Sequence, residues 1–198
     1  MLFSPVSAPV SPPLCGPAPA ARTRAIAELA DAFACEPELI LAFLQGIDQE
    51  TSDRAGIVLA AAQTAAAACP EYADLLYYVG QAAVAARDYA AADAALQRAL
   101  DLNPGYKDAL ILAARVALQQ RKPRHAAALL EQAVSLGADF PDVHMLLGSA
   151  WRELDDRDRA RGAYVRACEL NPNLTAARAA LADLPPVDTS GKSNELPA

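Results

Sequence analysis

An internal repeat is the feature that most constrains how this 198-residue chain can fold. The tripeptide Leu102-Asn103-Pro104 recurs as Leu170-Asn171-Pro172, and Gly80 recurs as Gly148 with the same spacing. At half that spacing, similar residues recur three times at each of three positions. The three sets are Ala92, Ala126 and Ala160; Leu96, Leu130 and Tyr164; and Leu102, Leu136 and Leu170. The sequence therefore contains three contiguous units of equal length, 73–106, 107–140 and 141–174, which we expect to stack on one another.

Composition predicts that the units are helical. Between residues 21 and 183, Ala, Leu, Arg, Gln and Glu dominate, and no alternating strand pattern occurs. The ends differ, because residues 1–20 hold six of the fifteen prolines and residues 184–198 are rich in Pro, Gly and Ser. We expect a disordered Pro-rich tail at 1–20 and a second disordered tail at 184–198.

Small and large apolar residues recur within the units in a fixed order. The third unit has Leu147, Gly148 and Trp151, then Ala160, Tyr164 and Ala167, and then Pro172. The first unit matches with Leu76, Gly80, Ala92, Ala99 and Pro104, whereas the second has Ala114 in place of Gly and Ala138 in place of Pro. With these residues the chain resembles the tetratricopeptide repeat family, whose unit is a 34-residue helix-turn-helix. The resemblance covers residues 73–174 and implies an all-α fold, a right-handed α-solenoid.

The segments on either side of the units are expected to be helical as well. Residues 21–72 would form N-terminal helices. Within them, 39–72 is a candidate for a degenerate fourth repeat, since Gly46, Ala65 and Pro70 lie one repeat length before Gly80, Ala99 and Pro104. Residues 175–183 would form a capping helix that covers the exposed end of the array.

Two glycines predict where helices cross closely. Gly80 and Gly148 lie mid-helix, where Gly costs about 1 kcal/mol relative to Ala, a cost that is offset where two backbones must approach. In the third unit His144, Leu147, Gly148 and Trp151 share one face of the first helix. We expect this face to pack on the second helix.

The sequence lacks the usual signatures of enzymes and metal sites. It has two histidines, His125 and His144, and four cysteines that are too widely spaced for zinc. The common catalytic and nucleotide-binding motifs do not occur. Cys168 and His144 occupy buried-type positions and are interpreted as core residues. We therefore predict no catalytic residue, no cofactor and no metal.

Charge narrows the classes of partner. The net charge of −7 argues against nucleic acid, which needs clustered cations. The longest apolar run, 55–62, is too short to span a membrane, and scattered cysteines without a signal peptide favour the cytoplasm.

One basic turn stands out, formed by Arg121, Lys122, Arg124 and His125. It is either a docking spot for an acidic segment or phosphate, or a solvated turn, and the second interpretation is favoured.

The family resemblance also implies a binding surface. Related proteins bind partner segments along a concave groove that the first helix of each unit lines. The corresponding positions here are Asp74, Tyr77, Gln81, Val84, Asp108, Ile111, Arg115, Leu118, Met145, Ser149 and Arg152. Several are larger and more apolar than a solvent-facing row requires, namely Tyr77, Ile111, Leu118 and Met145. They are candidate anchors for a partner, unless a neighbouring helix or a tail buries them.

One branch of the family binds the C-terminal carboxylates of heat-shock chaperones with Lys, Asn and Arg. The equivalent positions here hold Tyr77, Gln81, Leu112, Asp142 and Leu146, so we do not expect that activity. The leading hypothesis is a non-enzymatic adaptor or assembly chaperone for a protein or peptide partner. The alternative is a structural building block that forms homo-oligomers through repeat faces or through the apolar helix at 51–69.

Overall fold

The computed structural model describes residues 19–45 and 52–184, so the expected tails lie almost entirely outside the described residues. Within these two segments the chain forms helices and no strand. The helices are α1 Pro19–Cys35, α2 Leu39–Gln45, α3 Ser52–Ala68, α4 Ala73–Ala85, α5 Tyr89–Leu102, α6 Lys107–Gln119, α7 Pro123–Ser135, α8 Pro141–Glu153, α9 Arg157–Leu170 and α10 Thr175–Ala182. The all-α class is thus confirmed.

The helices stack in chain order. Three helix-turn-helix pairs, α4 with α5, α6 with α7 and α8 with α9, make the most extensive contacts of the repeat region. The second helix of each pair packs on the first helix of the next, and α4 contacts α6, which contacts α8. Such nearest-neighbour packing is that of an α-solenoid, in agreement with the expected fold class.

The N-terminal helices are arranged differently from the three pairs. The 17-residue helix α1 packs on α3, which also packs on α4. The seven-residue helix α2 lies against α4 and, to a lesser extent, α3. The helical partner of α3 is therefore α1, since two turns of α2 are too short to cover a 17-residue helix. Whether 39–72 is a decayed repeat stays a hypothesis.

The turn within each unit places a residue in the left-handed region at the same position. Arg87, Arg121 and Asp155 have φ of 59°, 59° and 58°. The next N–H in each case donates to a carbonyl five residues earlier, with N···O distances of 2.9, 2.9 and 3.0 Å for Asp88 to Ala83, Lys122 to Ala117 and Asp156 to Trp151. This 6→1 bond closes a Schellman motif, so the same device ends every first helix.

The second helix of the second unit, α7, ends differently from the second helices of the other two units, α5 and α9. Asn103 and Asn171 cap α5 and α9, and their side chains accept from the N–H of Gly105 and Asn173. At the end of α7, Gly137 adopts φ of 89° and the Ala138 N–H donates to Ala133. A glycine turn thus replaces the asparagine cap, which explains why this unit closes without the terminal proline.

Glycine produces the close helix crossings that the sequence predicts. A Cβ on Gly80 would lie 2.8 Å from Leu96 Cγ, and one on Gly148 would lie 2.5 Å from Tyr164 Cε1. Both partners are fully buried on the second helix of the same unit. A side chain at either position would force Leu96 or Tyr164 to shift, so glycine permits the observed approach.

The buried side chains form two clusters. The larger cluster runs from α1 to α8 and includes Phe33, Leu76, Leu96, Leu110 and Leu130. The smaller one holds Ala160, Tyr164, Ala180 and Leu184, so α10 and the residues after it cover α9. Trp151 is partly buried and packs against both clusters.

Candidate binding groove

The predicted groove residues lie on α4, α6 and α8, the first helices of the three units, which contact one another in sequence. The charged members Asp74, Asp108, Arg115 and Arg152 reach solvent, and the others are partly buried. Tyr77, Val84, Ile111 and Leu118 pack against the larger core cluster and keep part of their surface in solvent. The row therefore combines accessible apolar surface with accessible charge.

The structure brings some of these residues together in one depression. Val84, Arg115 and Leu118 line a space of about 290 Å³, together with Tyr89, Val116, Gln119 and Leu146. Its walls come from α4, α5, α6 and α8. The depression offers apolar walls and a guanidinium, which suits an extended segment that carries an apolar side chain.

The α8 end of the predicted row is more occupied by the protein itself. Met145 packs against the smaller core cluster. The Ser149 hydroxyl donates to the Met145 carbonyl at 3.0 Å and lies 3.4 Å from the Tyr164 hydroxyl. Met145 and Ser149 are thus tied to the C-terminal cluster, and they lie apart from the depression around Leu118.

At the α4 end, three tyrosine rings contact one another. The Tyr77 ring centroid lies 5.5 Å from that of Tyr78 and 5.2 Å from that of Tyr106, with the ring planes tilted in both pairs. The Gln81 amide donates to the Tyr77 hydroxyl at 2.7 Å. The cluster joins the start of α4 to the start of α6 and gives the groove an aromatic end.

Electrostatics keeps these phenols protonated. Burial raises the pKa of Tyr77, and the Asp108 carboxylate raises it further. Burial and a hydrogen bond to Asp74 raise the pKa of Tyr106, and burial with Glu38 and Asp74 raises that of Tyr78. Each hydroxyl therefore remains a neutral donor, and each ring keeps its polarised face.

The sequence interpretation missed Tyr72, Tyr78 and Tyr106. Tyr72, Tyr106 and Phe140 each precede a first helix directly, as its N-cap, and none of them makes a side-chain cap bond. They lie one repeat length apart, so the repeat register itself carries the signal. An aromatic residue at a position normally held by Ser, Thr, Asp or Asn indicates a role other than capping.

The basic turn is partly neutralised by its neighbours. Lys122 Nζ lies 3.4 Å from Asp93 Oδ2, and Arg121 lies 3.8 Å from Glu153. Arg124 and His125 are exposed. These pairs join the turn of one unit to the helices of its neighbours, as expected for a solvated surface turn with weak ion pairs.

His144, Asp139 and Arg166 form a bridge between two elements of the C-terminal part. His144 is buried, and its Nε2 lies 2.7 Å from Asp139 Oδ1, while Arg166 pairs with the other oxygen of Asp139 at 2.5 Å. This bridge joins the loop before α8 to α9.

Over 19–45 and 52–184, no three His, Cys, Asp or Glu side chains are placed to hold a metal ion. In the same residues, no helix is long and apolar enough to cross a membrane.

Comparisons with known proteins agree with the repeat assignment. Residues 83–150 match the family model of the tetratricopeptide repeat. No curated protein matches the chain in sequence.

Solved structures share the fold at low identity. MamA (residues 41 to the end) from Desulfovibrio magneticus RS-1 is 20% identical, with a TM-score of 0.65 over 79% of this chain and 81% of that one. YrrB, described as a TPR protein with an unusual peptide-binding site, is 18% identical, with a TM-score of 0.61 over 81% of this chain and 84% of its own.

A third structure contains a peptide. The first TPR of Spaghetti (RPAP3), bound to the HSP90 peptide SRMEEVD, is 22% identical, with a TM-score of 0.55 over 57% of this chain and 89% of that one. The repeat pattern and the three helix pairs agree with the family match, which identifies tetratricopeptide repeats over residues 83–150.

Proposed function

We propose that the chain is a non-enzymatic protein-interaction scaffold, an adaptor or assembly chaperone that binds an extended partner segment in the groove formed by α4, α6 and α8. The observation that carries the proposal is the depression beside Val84, Arg115 and Leu118, which joins apolar surface from successive units. Apolar side chains that stay partly in solvent release water when a partner covers them.

Two of the structural relatives support this function in general terms, since one is bound to a peptide and the other has a described peptide-binding site. The partner of this chain should differ from a chaperone tail. At the positions where that branch of the family has Lys, Asn and Arg, this chain has Tyr77, Gln81 and Asp142, together with Leu112 and Leu146. Asp142 would repel a terminal carboxylate.

The alternative of self-association through 51–69 loses its main support. Seven apolar residues of α3 are buried, namely Ala55, Val58, Leu59, Ala61, Ala62, Ala65 and Ala66. Because α3 packs between α1 and α4, this surface is already covered within the chain. Light scattering over a range of concentrations tests what remains of the alternative, because a concentration-dependent oligomer would favour the building block over the adaptor.

The groove is tested by selecting binders from a random peptide library on the full chain. We then measure the affinity of the selected peptides for Tyr77→Ala/Ile111→Ala and for the control Val165→Ala, which removes an exposed apolar side chain from α9. The double variant should lose about 2 kcal/mol or more, roughly 30-fold in Kd, and the control should lose little. Selected peptides that bind the folded double variant normally would contradict the groove.

A further inference from the structure

The aromatic end of the groove opens into a cavity that the repeat pattern does not predict. It has a volume of about 630 Å³. The turn between α1 and α2 forms one wall with Glu36 and Glu38, and the start of α4 forms another with Tyr72, Asp74 and Tyr78. Tyr106, just before α6, closes the far side. The cavity therefore adjoins Asp74 and Tyr77 of the predicted row.

In the described part of the chain, the carboxylates that line this cavity have no cationic partner. Among the residues that the structure describes, the ion pairs lie elsewhere, and none involves Glu36, Glu38 or Asp74. Burial and the neighbouring Asp74 carboxylate raise the pKa of Tyr106, so the phenol beside Asp74 stays neutral and does not compensate its negative charge. Three carboxylates around one concave surface focus a negative potential into it.

The aromatic side chains complement that potential. Tyr78 and Tyr106 line the cavity, and the Tyr77 ring holds both in place through its contacts at 5.5 and 5.2 Å. Tyr72 is 58% exposed, although it is a large aromatic side chain at the mouth of the cavity. A ring face attracts a cation, and a nearby carboxylate adds a charged hydrogen-bond acceptor. Together they favour a planar guanidinium over any neutral group.

We propose that this cavity, the Tyr–Asp pocket, binds a basic side chain of the partner segment, with arginine preferred over lysine. The inference rests on the proposed function and specifies its partner: a segment with a basic residue at the α4 end and apolar residues beside Leu118. Arginine is preferred because its planar fork can stack on a tyrosine and pair with a carboxylate at the same time.

The pocket can be tested without a partner protein. The probe is N-acetyl-arginine methylamide, titrated to about 500 mM at constant ionic strength, because one stack and one exposed ion pair supply about 1–2 kcal/mol, a Kd of roughly 30–200 mM. The full chain carries ¹³C-labelled tyrosine, whose six signals are assigned by single Tyr→Phe replacements. Signals from Tyr78 and Tyr106 should shift saturably, while that of Tyr164, buried in the smaller cluster, should not.

Matched ligands and variants separate charge from shape. The citrulline analogue has nearly the same shape without the charge and should bind at least about fivefold more weakly, and the lysine analogue should lie between the two. Asp74→Asn, Glu38→Gln and Tyr78→Leu should each weaken the arginine probe about three- to fivefold. Glu28→Gln, which removes an exposed carboxylate of α1 that is paired with Arg24, should have no effect.

The outcomes distinguish this inference from the proposed function. If peptides bind the groove but the arginine probe shifts no pocket tyrosine, the pocket inference is wrong and the groove stands. If the arginine probe shifts the pocket tyrosines but no peptide binds, the Tyr–Asp pocket stands as a site and the groove proposal is wrong. Equal binding of the citrulline analogue, or a shift with Ca²⁺ but not with arginine, would also overturn the assignment. Melting curves of each variant test whether it remains folded, and only folded variants are compared for binding of the probe.

Discussion

A Cβ atom added to Gly148 would lie 2.5 Å from Cε1 and 2.6 Å from Cδ1 of Tyr164, a side chain with no exposed surface. Gly148→Ala should therefore lower the free energy of unfolding by about 1–3 kcal/mol, although Ala is the better helix former. Gly162→Ala is the matched control, since nothing lies within 4 Å of the added Cβ on α9. It should stabilise the protein by about 1 kcal/mol in urea denaturation. Opposite signs for the two variants are expected, and equal effects would refute the crossing.

Helix capping differs between units and can be tested by equivalent substitutions. The Asp88 carboxylate accepts from the Ala91 N–H at 2.9 Å at the start of α5, whereas Lys122, at the equivalent position of the next unit, makes no such bond. Asp88→Ala should cost about 1 kcal/mol, and Lys122→Ala only a few tenths, because an exposed ion pair to Asp93 is all that it loses. Thermal melting would contradict this if the two variants lost equal stability.

Acid should weaken the junction between the second and third units. Hydrogen bonds from Arg166 and His144 lower the pKa of Asp139 below its ordinary value of 3.8. The folded pKa lies below the unfolded one, so this group stabilises the fold at neutral pH, and the contribution is lost as pH falls below about 4. Asp139→Asn should show a smaller drop in urea midpoint than wild type between pH 6 and pH 3. A drop as large in the variant would show that the bridge contributes nothing.

The basic turn should affect the association rate of a partner more than its dissociation rate. Replacing Arg121, Lys122 and Arg124 by Gln removes exposed charges that are only weakly paired. Association of a groove-selected peptide should change in rate and in salt dependence, while dissociation stays within about twofold. Surface plasmon resonance at several salt concentrations measures both rates. Loss of binding in this variant, with normal binding by Tyr77→Ala/Ile111→Ala, would place the partner on the turns.

The repeat register predicted the helix pairs and the crossings at Gly80 and Gly148, because both repeat between units. The aromatic end of the groove could not be derived in the same way. There, α2 lies against α4 through a contact that has no counterpart in later units, so periodicity carries no information about it. Tyr72 and Tyr106 recur one repeat length apart, but they precede α4 and α6, so a pattern of helix faces does not identify them. Which groove residues bind a partner stays a prediction.

The position of Trp151 makes its fluorescence an internal reporter of unfolding at the C-terminal end of the repeats. It is the single tryptophan of the chain; it packs against both buried clusters, and the Arg159 guanidinium lies 3.6 Å from its ring centroid. Neighbouring repeats unfold as partly independent cooperative units, and the smaller cluster has few residues to hold it closed. Fraying from the α10 end would therefore change indole emission while most of the helical signal persists. Fluorescence and circular dichroism should give separate transitions, with the terminal repeat opening first.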